Sequence, residues 1–222
     1  MLSIEENDLL TRTGRGTQMG DLMRRYWQPI LLRDELPDIR PAKEVKILGE
    51  DLVVFRDEQG RYSALARRCS HRGADLSYGR LEDGGIRCPY HGWLYDPEGN
   101  CIEQPAEPEG STFVGKVKQQ AYPCVEHQGI IYGYMGPGGP PLFPAFDWNL
   151  APEHHTFVFK AHQDANWLQA NEGEIDPAHL SYLHRYLDDE MDADESYGLD
   201  QFLDVAEGTD IPVSQILRER LN

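Results

Sequence analysis

Cys69-Ser70-His71-Arg72-Gly73 and, with sixteen residues between His71 and Cys88, Cys88-Pro89-Tyr90-His91-Gly92 decide how this chain is read. Each stretch offers one thiol and one imidazole, and a glycine closes each. Two soft thiolates and two imidazoles can complete a tetrahedral zinc site. They can equally cap a 2Fe-2S cluster, with sulfur on one iron and nitrogen on the other. A zinc finger tends to gather its histidines on a helix after the paired cysteines, whereas here two matching loops each bring one donor of either kind from between strand-like runs. That arrangement suits the two-iron cluster. A lone Cys or His is more often a buried thiol or a core imidazole, and Cys101, Cys124, His127, His154, His155 and His162 are read that way.

Outward from the loops, the pattern is strand-like. Val45 to Leu48, Leu52-Val53-Val54-Phe55 and Tyr62 to Ala66 alternate or run apolar, with the turn residues Asp57 to Gly60 between the last two, which predicts an antiparallel meander. Trp93-Leu94-Tyr95, the turn Asp96-Pro97-Glu98-Gly99 and Gly129 to Met135 continue it. Upstream, Ser3 with Glu6 has capping-box form, and Leu9, Leu10, Leu22, Met23, Tyr26 and Trp27 predict two short amphipathic helices, the second ended by Pro29. The Gly136 to Pro144 segment carries too many prolines and glycines for regular hydrogen bonding and marks a boundary. Beyond it, Thr156 to Lys160 reads as a strand and Asn166 to Tyr186 as a helix carrying Leu168, Ile175, Leu180 and Leu183.

The chain has 222 residues, 40% of them hydrophobic and 27% charged, enough for a packed core without covalent staples. Its 21 basic residues against 38 acids leave a net charge of −17, which argues against nucleic acid or an anionic membrane held by a general basic face. Ten of the acids stand between Asp188 and Asp210 with no Lys or Arg among them, the composition of a solvated segment. No apolar run approaches a membrane span and the start lacks a secretory pattern, so a cytoplasmic protein is expected.

A second constellation follows Pro144. Glu172, Asp176, His179 and His184 form an E-x3-D-x2-H-x4-H string. Two histidines and a carboxylate with open coordination positions are the ligand set of oxygen-activating non-haem iron(II). Five residues turn an ideal helix through about 140°, so His179 and His184 can share one metal only if the helix loosens or ends between them, with a π-type turn near Tyr182 as the natural device.

With both motifs in this order, and with Met1 to Asn7 and Tyr26-Trp27-Gln28-Pro29, the chain resembles the oxygenase (alpha) component of Rieske non-haem iron oxygenases, in the phthalate dioxygenase-like group. The cluster motif resembles the Rieske family over roughly residues 43 to 135. Respiratory members carry a further cysteine in each loop; Ala74 and Tyr90 stand at those positions here, which places the chain with the ferredoxin and oxygenase branches and at the low end of the Rieske potential range. Tyr90 and Trp93 are candidates to shield the cluster. The resemblance implies an α+β chain: an N-terminal helical segment (1–40) packing on the catalytic domain, a Rieske antiparallel β domain (41–145), and the start (146–222) of a mixed α/β, helix-grip, START-like catalytic domain whose remainder is missing. It implies that Cys69 and Cys88 hold one iron of the 2Fe-2S cluster, His71 and His91 the other, and His179 and His184 a mononuclear Fe(II) whose carboxylate ligand lies beyond Asn222; Asp188 and Asp189 are not assigned to it. Asp176 would bridge a cluster histidine of one subunit to an iron-ligand histidine of the next in a homotrimer. Electrons would come from an NAD(P)H-dependent flavin and iron-sulfur reductase, and the substrates would be O2 and a small aromatic compound. An electron carrier in which only the cluster works is the alternative.

Overall fold

The computed structural model describes residues 2–179. Residues 2–162 form one compact unit, and the described residues from 163 onward belong to a second.

In the first unit, strands β1 (Gln28–Leu32), β2 (Ala42–Ile47), β3 (Glu50–Arg56), β4 (Tyr62–Ala66), β9 (Ala121–His127) and β10 (Ile130–Gly133) build a six-stranded sheet in the order β1-β10-β9-β4-β3-β2. Strands β5 (Arg80–Glu82), β6 (Gly85–Arg87), β7 (Leu94–Tyr95) and β8 (Cys101–Glu103) build a second in the order β5-β6-β7-β8. Every pairing is antiparallel. The unbroken apolar run of β3 explains the layout, because a strand buried on both faces does not alternate. Val53, Phe55 and Leu65 enter one core with Cys69, Cys88, Trp93 and Tyr95, while Leu52, Val54 and Ala64 enter a second with Ile30, Leu31 and Ile131. Phe55 is fully buried, so Phe55→Ala would cost about 3–5 kcal/mol.

Two-residue turns with left-handed backbone at both positions join three of the hairpins: Leu48-Gly49, Asp83-Gly84 and Gln128-Gly129. Their hand matches the strand twist. Asp83-Gly84 is a strong hairpin signal; Leu48 holds φ 47° at a strain of roughly 1–2 kcal/mol.

Several expectations need correction. Helices α1 (Ile4–Thr11) and α2 (Gln18–Met23) form, and the Ser3–Glu6 capping box is made in both directions, but α1 buries none of its residues. Pro29 does not end α2, which stops at Met23. It lies in β1, an edge strand, beside a register shift between Pro29 and Leu31, where a missing N–H is tolerated. Within the segment expected to be helical, residues 28–32 are therefore sheet. Thr156 to Lys160 forms no strand; it is anchored by Thr156 to Gln128 and by Lys160 to Glu35 at 2.6 Å, and no ladder among the described residues takes it up.

The helix read from Asn166 to Tyr186 is also shorter at its C-terminal end. α3 (Trp167–Ile175) begins where Asn166 Oδ1 accepts from the N–H groups of Leu168 and Gln169. It ends because Pro177 follows Asp176: the ring disfavours helical backbone in the preceding residue, and Asp176 is extended at φ −95°, ψ 102°. His179 is thus not on α3. The distortion expected near Tyr182 lies outside the described residues.

Candidate metal centre

Loop 1, between β4 and β5, and loop 2, between β6 and β7, share one backbone design. In loop 1 the Cys69 N–H donates to Ala74 O (2.9 Å) and the Gly73 N–H to Cys69 O (2.8 Å). In loop 2 the Cys88 N–H donates to Trp93 O (2.8 Å) and the Gly92 N–H to Cys88 O (3.1 Å). Gly73 (φ 70°) and Gly92 (φ 73°) supply the left-handed residue each turn needs. The common element is a cysteine with a glycine four positions on.

The two loops bring the predicted donors together as two pairs, sulfur with sulfur and imidazole with imidazole. Cys69 and Cys88 are each 3% exposed. Burial, then the neighbouring Cys69, raises the Cys88 thiol, so a thiolate there calls for a cation. The half-buried rings of His71 and His91 lie 4.6 Å apart toward the surface. Burial, then His91 and Arg72, lowers His71 from its ordinary value and favours the neutral, lone-pair-bearing imidazole. Most telling is His91 Nδ1, which is buried without a hydrogen-bond partner. An orphaned imidazole nitrogen beside a second imidazole, on loops that also carry two buried sulfurs, supplies the donor types of a mixed-ligand cluster.

Trp93 stacks on His71 at 4.3 Å and 6° and is almost fully buried, as expected of a shield. Tyr90 covers His91 at 3.8 Å but is itself exposed. Supports not foreseen from sequence surround the loops. Tyr95 Oη lies 3.2 Å from Cys69 Sγ and 2.9 Å from Ser70 Oγ; burial, then Cys69, pushes its phenol up, so it stays a donor. Buried Gln119 accepts from the Ser70 N–H (2.9 Å) and donates to Ala66 O and Arg68 O (both 2.7 Å). Within loop 1, Arg67 and Arg68 pair with Asp75. Arg87 donates to Gly92 O (2.8 Å) and Glu103 (2.6 Å) and pairs with Glu82 and Asp83. None of these side chains carries a motif, because what each does depends on which groups the fold brings to it.

Cys101 is a core thiol between Gln104 and the Glu103 carbonyl, and His127 stacks on Phe143, in line with their structural reading. In the second unit, Asp176 Oδ1 accepts from the Ala178 N–H (2.9 Å) and Oδ2 lies 3.5 Å from His179 Nδ1. His184 lies outside the described residues. Among the described residues no three His, Cys, Asp or Glu side chains converge on one ion position; the loop donors form two pairs.

Residues 26–125 match the Rieske [2Fe-2S] domain, so the strand-and-loop unit with its paired Cys and His donors is a Rieske domain, and the match takes in β1. The chain is 45% identical over 189 residues to the phthalate 4,5-dioxygenase oxygenase subunit of Pseudomonas putida, covering 83% of this chain and 42% of that protein. It is 46% identical over 177 residues to the tert-butanol monooxygenase / tert-amyl alcohol desaturase oxygenase subunit of Aquincola tertiaricarbonis, covering 79% and 37%. A solved complex of the oxygenase and ferredoxin of carbazole 1,9a-dioxygenase is similar at TM-score 0.55 and 28% identity, over 77% of this chain and 42% of that one. Over the matched stretch the chain is similar to oxygenase subunits of Rieske-type oxygenases. It spans less than half the length of these curated relatives. Among the described residues no helix is long and apolar enough to cross a membrane.

Proposed function

We propose that this chain is the cluster-bearing part of an oxygenase subunit that hydroxylates or O-demethylates a small aromatic compound, with Cys69 and Cys88 on the inner iron and His71 and His91 on the outer one. The observation that carries the reading is the orphaned, buried Nδ1 of His91 beside the partner loop's histidine. When bound, the cluster stores one electron and a mononuclear Fe(II) activates O2. The chain's own residues do the rest. The cysteine side is sealed in the core, the imidazole side reaches the surface where a donor protein can approach, and Trp93 keeps water off His71.

His179 and His184 are the proposed ligands of the mononuclear iron, in a helix-grip, START-like domain proposed to start at residue 146. Asp176 is the proposed bridge toward a neighbouring subunit's cluster histidine in a homotrimer. Its extended backbone, enforced by Pro177, frees the carboxylate from the helix, and the Ala178 N–H holds one oxygen while the other faces His179. The proposed donor is an NAD(P)H-dependent flavin and iron-sulfur reductase, in cytoplasm. The relative solved with its ferredoxin supports an electron-carrying protein partner.

Metal and sulfide analysis with paramagnetic resonance tests the reading. Two irons and two labile sulfides per chain, with a mixed nitrogen–sulfur signal after dithionite, are expected for the cluster, and zinc without sulfide would overturn it. A further iron lost on His179→Ala supports the oxygenase, and cluster iron alone in the whole subunit leaves an electron carrier. Asp176→Asn is expected to keep both metals and slow product formation sharply; unchanged turnover would remove the bridge.

A further inference from the structure

Far from the cluster motif in sequence, α2 and the start of β9 border a cleft of about 350 Å³. Arg15, Arg24 and Arg25 line it against a single acid, Asp21, in a chain whose net charge is −17. Arg15 and Arg25 are exposed and form no ion pair among the described residues. Arg24 is different: its side chain is only 7% exposed. Nη2 donates to Leu48 O (3.0 Å) and lies 2.8 Å from Glu50 Oε1, out of hydrogen-bond alignment, while Tyr122 draws the other Glu50 oxygen at 2.6 Å. Nε and Nη1 are buried with no acceptor at all.

A buried guanidinium with two unused donors is costly unless an acceptor completes it. Here two more cations face the same space, so an acceptor entering the cleft meets a positive field as well. The remaining lining includes the apolar faces of Tyr122, Met135 and Pro137. From this geometry we infer that the cleft binds a small carboxylic acid with an apolar body, its carboxylate toward Arg24 and between Arg15 and Arg25. The cleft's volume is that of a small-ligand site, with one apolar side opposite convergent polar groups. The inference stands apart from the cluster and from the mononuclear iron.

The experiment titrates benzoate, acetate and inorganic phosphate into the cluster-loaded protein by calorimetry, at ionic strength held constant with chloride. Arg15→Gln/Arg25→Gln is the test variant because both side chains are exposed and their loss leaves the Arg24–Glu50–Tyr122 network in place. Saturable benzoate binding, tighter than acetate and weakened about tenfold or more in the double variant, is the expected result. No saturable binding, an equal response in the double variant, or equal displacement by chloride, meaning an unselective ion effect only, would overturn it. Phosphate bound more tightly than benzoate would overturn the assignment to an apolar acid.

Discussion

Loop 1 and loop 2 are nearly the same object in backbone terms and differ in what holds them. Each has a cysteine N–H tied across the loop, a glycine N–H returned to the cysteine carbonyl, and that glycine in left-handed conformation. Loop 2 is braced locally: Arg87, next to Cys88, gathers Glu82, Asp83, Glu103 and the Gly92 carbonyl from its own small sheet. Loop 1 holds a local Arg67–Asp75 pair as well, but its cysteine end is braced from a distance, by Gln119, 49 positions from Ser70, and by Tyr95 from the strand that leaves loop 2. Local bracing fixes a loop as soon as its strands pair. Distant bracing fixes it only when the whole domain has closed.

Breaking the local brace should have the largest effect. Arg87→Met keeps the stem but strips Glu103 of its cation, leaves Glu82 to Arg80 alone and frees the Gly92 carbonyl. Arg87 itself is 8% exposed while its acids are partly solvated, so the expected loss is about 3–4 kcal/mol, read by urea unfolding of the cluster-loaded protein. Cluster loss should accompany it, because the freed carbonyl adjoins His91.

The distant brace comes next. Gln119→Leu removes one acceptor and two donations at a residue 2% exposed, stranding the Ser70 N–H and the carbonyls of Ala66 and Arg68. About 2–3 kcal/mol should be lost. The comparison predicts a further difference: this variant should fold and then lose its cluster slowly, whereas Arg87→Met should fail at assembly. Identical iron-loading kinetics in the two would erase the distinction between the loops.

Within loop 1, the Asp75 carboxyl is pushed up by burial, but bonds from Arg67 and then Ser77 outweigh this and bring it from 3.8 to about 2. A carboxylate with a depressed folded pKa contributes stability above its unfolded value and loses it as pH falls toward the folded one. Asp75→Asn should therefore cost roughly 2 kcal/mol at neutral pH, a gap that closes between about pH 4 and pH 2. A gap independent of pH would show that the carboxylate's charge is not what braces the loop.

The loops themselves were legible in the sequence because their geometry is local: a cysteine, a histidine two or three positions on and a glycine at the fourth specify a turn that only one backbone satisfies. The meander was legible from Leu52 to Phe55 for a similar reason, a run too apolar to face water on either side. Gln119 and Arg87 were not, since an amide or guanidinium has no periodicity and its value depends on which carbonyls the fold delivers to it. Pro177 was legible and outweighed: the apolar spacing through Leu183 suggested one helix, but the steric bar on Asp176 stops α3 at Ile175. Pro29 failed in the opposite sense, a helix breaker by habit that an edge strand accommodates.

The smallest effect concerns Tyr95, where the loops meet. Its hydroxyl lies between Cys69 Sγ and Ser70 Oγ, and a thiolate ligand has no proton to give, so Tyr95 donates to sulfur and accepts from Ser70. A donor to a ligand sulfur stabilises the more negative, reduced cluster over the oxidised one. Tyr95→Phe should thus lower the reduction potential by roughly 40 mV, the equivalent of about 1 kcal/mol for one electron. Thermal stability should change little, since the ring stays packed in the core. The potential is read by redox titration of the cluster's circular dichroism. Ser70→Ala removes the bond that orients the hydroxyl while leaving the donor, so its shift should be in the same direction and smaller. An equal or larger shift in Ser70→Ala would mean that loop 1 moves as a whole when Ser70 is cut. The potential would then report the distant brace at Gln119 rather than a single hydrogen bond.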